Sequence, residues 1–355
     1  MGIRVLIVDD SPSIRAILKF ILEEDPDIEV VGAAENPLEA RAMIKALPVD
    51  VVTLDVEMPR MNGLEFLEKI MTLRPMPVVM ISTLTAQGTA ATVQALAMGA
   101  VSCLPKPRLD DQQAMAEIRA TVKEAATARV RRQTPESIAR VKATASPLAG
   151  SAGNESTISH PDLMLVGAST GGVEALSRLI SDFPRNCPPT VIAQHMLSGF
   201  TKSFCEHLDR TCAPVVSEAQ DGEILQKGHV YVAPSGGGHT TVTMEGNRLR
   251  TRVRMGQPRS GHMPSVDELF ESGAALKGVS ITAAILTGMG RDGAEAMLEL
   301  RNAGAKTIAQ DEETSLIFGM PRVAIKLGAA QKVLPLSAIA RSLLNKENRG
   351  EKNAA

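Results

Sequence analysis

In the second half of this chain, a serine, a histidine and an aspartate each stand just past an apolar run. Ser169 lies in Gly167-Ala168-Ser169-Thr170-Gly171-Gly172, which follows Leu163-Met164-Leu165-Val166. His195 follows Val191-Ile192-Ala193, and Asp292 lies in Thr287-Gly288-Met289-Gly290-Arg291-Asp292-Gly293. Brought together, such groups make a nucleophile, its base and the carboxylate that fixes the base's tautomer. Taken singly, each has a plainer use as a tight turn, a buried histidine or an Asx cap. The glycine-rich strand-to-helix turn is open to three readings: a phosphate cradle of backbone N–H groups, a nucleophile held beside an oxyanion site, or a simple turn. It matches neither GxGxxG, nor a Walker loop, nor GxSxG. What unites the three residues is position, because sites in α/β sheets assemble at the carboxyl ends of strands.

The first half repeats the pattern with other chemistry. Asp9 and Asp10 follow the run Ile3 to Val8, Asp55 follows Val49 to Leu54, Ser82 follows Pro77 to Ile81, and Lys106 follows Val101 to Leu104. Carboxylates gathered at one rim repel and call for a cation, and oxygen ligands with open water positions suit Mg²⁺. With the charge balanced, Asp55 can attack a phosphoryl group. Lys106 could pair with the resulting phosphate, and Ser82 could hydrogen-bond it.

The elements that must position these groups alternate strand with helix, so the chain reads as α/β, with two doubly wound, largely parallel sheets. Pro12 to Glu24 has helical spacing, with Ser11 as N-cap. Strands are expected near 163–168, 190–194, 229–233, 281–286 and 306–309. Ser265-Val266-Asp267-Glu268 reads as a capping box opening a helix over Leu269 to Leu276, and Glu295 to Asn302 is a helix closed by Gly304. Domains are expected at 1–122 and 160–345, with a flexible linker at 123–159 and a polar tail at 346–355.

Composition narrows the function. The 355 residues are 44% hydrophobic and 22% charged with a net charge of -2, which fits a soluble globular protein without a pull toward nucleic acid. Arg129, Arg131, Arg132, Arg140 and Lys142 in the linker have no helix-turn-helix beside them. Aromatic residues make up 2% and tryptophan is absent, which disfavours stacking on single strands. No apolar run approaches the roughly 20 residues of a membrane span. The four cysteines lack CxxC spacing and the six histidines lack ligand spacing. A cytoplasmic protein without membrane insertion or nucleic-acid partner is expected.

Residues 1–122 resemble the receiver domain of bacterial response regulators. The resemblance implies a flavodoxin-like fold with Asp55 as phosphoacceptor and Mg²⁺ held by Asp9, Asp10, Asp55 and the Glu57 backbone carbonyl. It makes Ser82 the switch hydroxyl and Lys106 the phosphate partner. Cys103 departs from the tyrosine or phenylalanine usual there. The second half resembles the catalytic domain of the chemotaxis protein-glutamate methylesterase family, a Rossmann-like serine hydrolase. The likeness rests on GASTGG, Gln194-His195-Met196, Gly199-Phe200-Thr201, the run Arg259 to Asp267, TGMGRDG, Gln310-Asp311-Glu312 and Gly319-Met320-Pro321. Leu197, where proline is common, and the looser loop Ser235-Gly236-Gly237-Gly238-His239 depart from it. By resemblance, Ser169 is the nucleophile, His195 the base and Asp292 the orienting acid, with the Met289 N–H as oxyanion donor and Thr170 in support. The implied reaction is hydrolysis of glutamate γ-methyl esters on chemoreceptor cytoplasmic helices, and deamidation of receptor glutamines, for chemotactic adaptation. A chemotaxis histidine kinase would be the phosphodonor that activates it, and the esterase step would need no cofactor. The alternative is a receiver-regulated module that binds nucleotide or phosphate without hydrolase activity.

Overall fold

In the computed structural model the described residues are 2–59, 61–83, 86–108, 110–135, 138–139 and 161–345. The chain divides into two compact units, Met1–Ala143 and Thr144–Ala355.

The first unit carries five parallel strands, β1 (Ile3–Val8), β2 (Ile28–Ala34), β3 (Val51–Asp55), β4 (Val78–Ser82) and β5 (Ser102–Pro105), in the order β2-β1-β3-β4-β5. Helices α1 (Pro12–Glu23), α2 (Pro37–Ala46), α3 (Gly63–Leu73), α4 (Ala86–Ala97) and α5 (Gln112–Ala125) alternate with them. β3 and β4 are buried at every residue, as strands covered by helices on both faces must be, so they read as mainly apolar runs without alternation. α1 begins where Ser11 accepts the Ile14 N–H at 3.4 Å, with Pro12 in the first turn. β2 was not among the expected strands. Strand order reverses between β1 and β3, so Asp9 and Asp55 flank the crevice in which such sheets bind ligands.

The expected start of the linker at residue 123 is corrected. Residues 123–125 finish α5, and the chain then packs back on the first unit instead of leaving it. The Gln133 N–H donates to the Met71 carbonyl at 3.0 Å, and Arg132 reaches the Leu73 carbonyl at 3.3 Å. Ile138, 1% exposed, joins the core around Met71, Met98 and Ala100, with Val130 packed against it. Residues 126–134 form no helix or strand, and the helical residues described after them, 135 and 138–139, are too few for a period to show. The rest of the expected linker, 140–160, and the tail at 346–355 lie outside the described residues.

The second unit is a seven-stranded sheet in the order β14-β13-β12-β6-β7-β9-β8, parallel throughout. Its strands are β6 (Leu163–Ala168), β7 (Thr190–Gln194), β8 (Val215–Glu218), β9 (His229–Val232), β12 (Ile281–Ile285), β13 (Lys306–Gln310) and β14 (Lys332–Leu334). Helices α6 (Gly172–Ser181), α7 (Phe200–Thr211), α8 (Val266–Ala274), α9 (Ala294–Asn302), α10 (Met320–Lys326) and α11 (Leu336–Leu344) complete it. β6 is the switch strand, with β7 on one side and β12 on the other, so the chain after these three ends converges on one crevice.

An unexpected hairpin joins them, β10 (His239–Glu245) and β11 (Arg248–Arg254). Its two-residue turn sets Gly246 at φ 54 and Asn247 at φ 65, the left-handed pair that matches strand twist. Val242, 2% exposed, packs one hairpin face into the core with Leu269 and Phe270.

Truncating Ile138 tests the corrected boundary. Ile138→Ala should destabilise the first unit by about 2–4 kcal/mol through the cavity it leaves, seen as a lower urea midpoint. A midpoint equal to wild type would mean that the stretch after α5 does not pack.

Candidate active site

The site in the second unit is built from three strand ends. Ser169 follows β6 and is 8% exposed. Its N–H donates to the Thr287 carbonyl at 3.0 Å, and its carbonyl accepts the Gly172 N–H at 2.7 Å. Gly171 adopts φ 77, which turns the strand directly into α6. A Cβ on Gly171 would lie 2.7 Å from Leu316, and one on Gly172 would lie 1.9 Å from Gln194 Oε1. Both glycines are therefore required by close internal packing, against Leu316 and Gln194.

His195 follows β7. Its Nδ1 lies 3.1 Å from Ser169 Oγ, and its Nε2 lies 2.7 Å from Asp292 Oδ2. Asp292, 1% exposed, also accepts the Ser265 hydroxyl at 2.7 Å, the Val266 N–H at 2.7 Å and the Asp267 N–H at 3.1 Å. It thus sits on the open N-terminus of α8, where unpaired N–H groups and the helix dipole favour an anion. Burial pushes the Asp292 carboxyl up, yet the His195 bond and charge, the Val266 N–H and the Ser265 hydroxyl together hold it well below the usual carboxylate range. An ionised carboxylate only accepts, so His195 carries its proton on Nε2 and leaves Nδ1 free to receive the serine proton.

Asp267, in the first turn of α8, makes the reciprocal contact, accepting the Gly293 N–H at 2.9 Å at the start of α9. Burial, followed by the neighbouring Asp292 charge, raises its carboxyl. Only half of the expected capping box forms. Ser265 Oγ accepts the Glu268 N–H, but the Ser265 N–H donates to His239 Nδ1 at 3.2 Å and not to Glu268. Glu268 instead faces Arg259.

His262 has a position that its sequence motif did not disclose. Its ring stacks on His195 with centroids 3.7 Å apart and planes 12° from parallel. It is carried on a turn closed by reciprocal backbone bonds with Arg259, and Arg259 is anchored by Glu271. Burial, followed by the His195 charge, pushes His262 down to about 4, so a neutral ring covers one face of the His195 imidazole. The loop after β12 closes the far side: a Cβ on Gly288 would lie 2.6 Å from the Ser169 Cβ, which places the backbone next to Met289 against Ser169. Gln310 holds that loop by accepting the Thr287 N–H at 2.8 Å, and the Gly288 carbonyl accepts the Gly319 and Met320 N–H groups. Thr170 contributes its carbonyl to the Thr287 hydroxyl at 3.0 Å.

The first unit brings its own set together. Carboxylate oxygens of Asp9, Asp10 and Asp55 lie within 4.8 Å of one another. Lys106 Nζ lies 2.7 Å from Asp55 and 3.1 Å from Asp9. Burial pushes Asp55 up to about 6, with Asp9 adding to the rise and Lys106 opposing it. Asp9 Oδ2 is buried, and the Lys106 ammonium is its one polar contact among the described residues. One lysine for three all-oxygen donors leaves a charge deficit that fits a hard divalent cation. The Glu57 N–H donates to Asp55 at 3.3 Å, and Ser82 is 2% exposed with its hydroxyl on the Thr83 carbonyl. Cys103 meets the buried Thr92 hydroxyl at 3.3 Å.

Residues 164–343 match the CheB methylesterase family model, and residues 5–119 match the response regulator receiver domain model. The protein-glutamate methylesterase/protein-glutamine glutaminase 1 of Caulobacter vibrioides is 51% identical over 345 residues, covering 97% of each chain. The chain belongs to the CheB methylesterase family. A second relative, the protein-glutamate methylesterase/protein-glutamine glutaminase of Agrobacterium fabrum, is 49% identical over 96% of this chain and 95% of its own. The Thermotoga maritima CheB methylesterase catalytic domain is similar in structure, with a TM-score of 0.50 and 36% identity over 52% of this chain and 98% of that one. Among the described residues no helix is long and apolar enough to cross a membrane.

His262 in the CheB fold gives a pH test. Its ordinary value of 6.5 falls to about 4 on folding, so between these values the unfolded chain binds more protons. The stability it contributes is full above about 6.5 and is lost as pH falls through about 4. Stability of His262→Phe, measured by urea unfolding across this window, should fall less steeply than that of wild type. Parallel curves would show that folding does not hold this ring neutral.

Proposed function

We propose that this chain is a phosphorylation-activated serine esterase that hydrolyses glutamate γ-methyl esters on chemoreceptor cytoplasmic helices and deamidates receptor glutamines. The observation that carries the reading is the continuous chain from Ser169 Oγ through His195 to Asp292, with contacts of 3.1 and 2.7 Å. Ser169 attacks the ester carbonyl while His195 Nδ1 takes its proton, and Asp292 stabilises the imidazolium so formed. The Met289 backbone N–H receives the oxyanion, with Thr170 adjacent in support. His195 returns the proton as methanol leaves. It then takes a proton from water, which attacks the glutamyl-serine ester, frees the carboxylate and restores Ser169. With a glutamine substrate the first leaving group is ammonia. No cofactor enters these steps.

In the receiver, Asp9, Asp10 and Asp55, with the Glu57 carbonyl, would hold Mg²⁺, which screens the charge of an incoming phosphodonor. Asp55 accepts the phosphoryl group from a chemotaxis histidine kinase, and Lys106 and Ser82 bind the product. A cytoplasmic location follows from that partner and that substrate surface.

The test is methanol release from methylated receptor, with and without a small acyl phosphate and Mg²⁺. Ser169→Ala should lose at least about 10³-fold in kcat, and Asp292→Asn about 10³- to 10⁴-fold, as expected when the imidazole tautomer is lost. Asp55→Asn should keep the basal rate but lose its response to the phosphodonor. Full activity in Ser169→Ala would overturn the esterase reading, and a full phosphodonor response in Asp55→Asn would overturn the regulatory one.

A further inference from the structure

Gln194 ends β7 and is 2% exposed. Its side chain turns across to β6, where Nε2 donates to the Ser169 carbonyl at 2.9 Å and to the His195 carbonyl at 2.7 Å. The backbone ladder between these strands stops one step earlier, where the His195 N–H donates to the Ala168 carbonyl at 3.1 Å. Beyond it the chains part, one into α6 and the other toward α7. The amide therefore supplies a further rung where the backbone has none to give.

The chemistry is selective for glutamine. Both acceptors are carbonyl oxygens, and an amide NH₂ offers two donors from one atom. A carboxylate of the same shape offers none and would set charge against two carbonyls. The neighbours fit the same role: the first residue of α6 is Gly172, whose Cβ would lie 1.9 Å from Gln194 Oε1. That oxygen is buried and accepts no hydrogen bond among the described residues. An unpaired buried acceptor is costly, which argues that the donor end of this amide is what the position serves.

We infer that Gln194 is a positioning residue that fixes the separation of Ser169 and His195 by clamping their two carbonyls across the β6–β7 gap. At 2% exposure it is shielded from the solvent side of the site, and its amide bonds backbone carbonyls and not the Ser169 hydroxyl or the His195 ring. It acts on the 3.1 Å contact between Oγ and Nδ1, because both side chains hang from the backbone units it holds. Displacing reacting groups by about 1 Å costs on the order of 10²-fold in rate. The inference rests on the esterase reading above.

The experiment compares full-length wild type, Gln194→Leu, Gln194→Glu and Ser169→Ala in methanol release from methylated receptor, with kcat corrected for the folded fraction from thermal melts. Both Gln194 variants should lose about 10²-fold in kcat at neutral pH, with KM within about 2-fold of wild type because no substrate contact is removed. The activity of Gln194→Glu relative to Gln194→Leu should rise as pH falls, since a protonated carboxyl regains one donor. A purely structural role would predict losses that vanish on correction for the folded fraction and no separation of the two pH profiles; either result overturns the inference, as does a loss confined to KM. If Gln194→Leu does not fold, wild-type kcat in Gln194→Glu overturns it alone. Inactive Ser169→Ala beside fully active Gln194 variants would reject the clamp and leave the esterase reading intact, whereas active Ser169→Ala would reject the esterase reading itself.

Discussion

The second unit is organised around one buried charge. Asp292 is 1% exposed and ionised, a state that costs several kcal/mol unless donors replace the lost water. Those donors are the N-terminal N–H groups of α8, the Ser265 hydroxyl and His195. The requirement propagates outward. For α8 to present its N-terminus there, Val266 must sit where a Cβ on Gly167 or on Gly293 would lie 2.2 or 2.3 Å from it. Two glycines far apart in sequence therefore serve a single close approach. Asp267 repays the arrangement by capping α9, so the starts of the two helices exchange carboxylates. Once Asp292 is fixed, the histidine tautomer follows, and with it the direction in which the serine proton can move.

The first unit applies the same sheet geometry to a different end. Asp9 and Asp55 flank its switch point as Ser169 and Asp292 flank the other, but here the carboxylates gather with few donors. Lys106 is their main cation, and burial raises Asp55. In the second unit negative charge is satisfied from within to orient a base. In the first unit it stands in excess over the one lysine that faces it, an arrangement that suits a divalent cation. The difference lies in what faces the carboxylates: a helix N-terminus in one case, other carboxylates in the other.

Much of this was legible from residue order. The apolar runs marked β1, β3 to β7, β9, β12 and β13, and the groups just after them are those that the structure brings together. Less legible were elements whose pattern is weak or irregular. β2 breaks its apolar run with Glu29 and ends on the small residues Gly32, Ala33 and Ala34. The hairpin β10–β11 is different, since its clean alternation and Gly-Asn turn could have announced it. The stretch after α5 buries Ile138, with Val130 half-buried against the same core, in pieces too short to show a period. The capping box at Ser265 was half wrong because Asp292 and His239, distant in sequence, compete for the same cap.

The sequence by itself determined the alternation of strand and helix, the two-unit organisation and the residue types at the strand ends, because these depend on local periodicity and on chain direction in a parallel sheet. Only the tertiary structure decided how those groups act on one another. The stack of His262 on His195, the seat of Asp292 on α8 and the reach of Gln194 across two strands join residues separated by 67, 26 and 25 positions. Contacts of that span leave no period or spacing to read; they exist only once packing has fixed which ends meet.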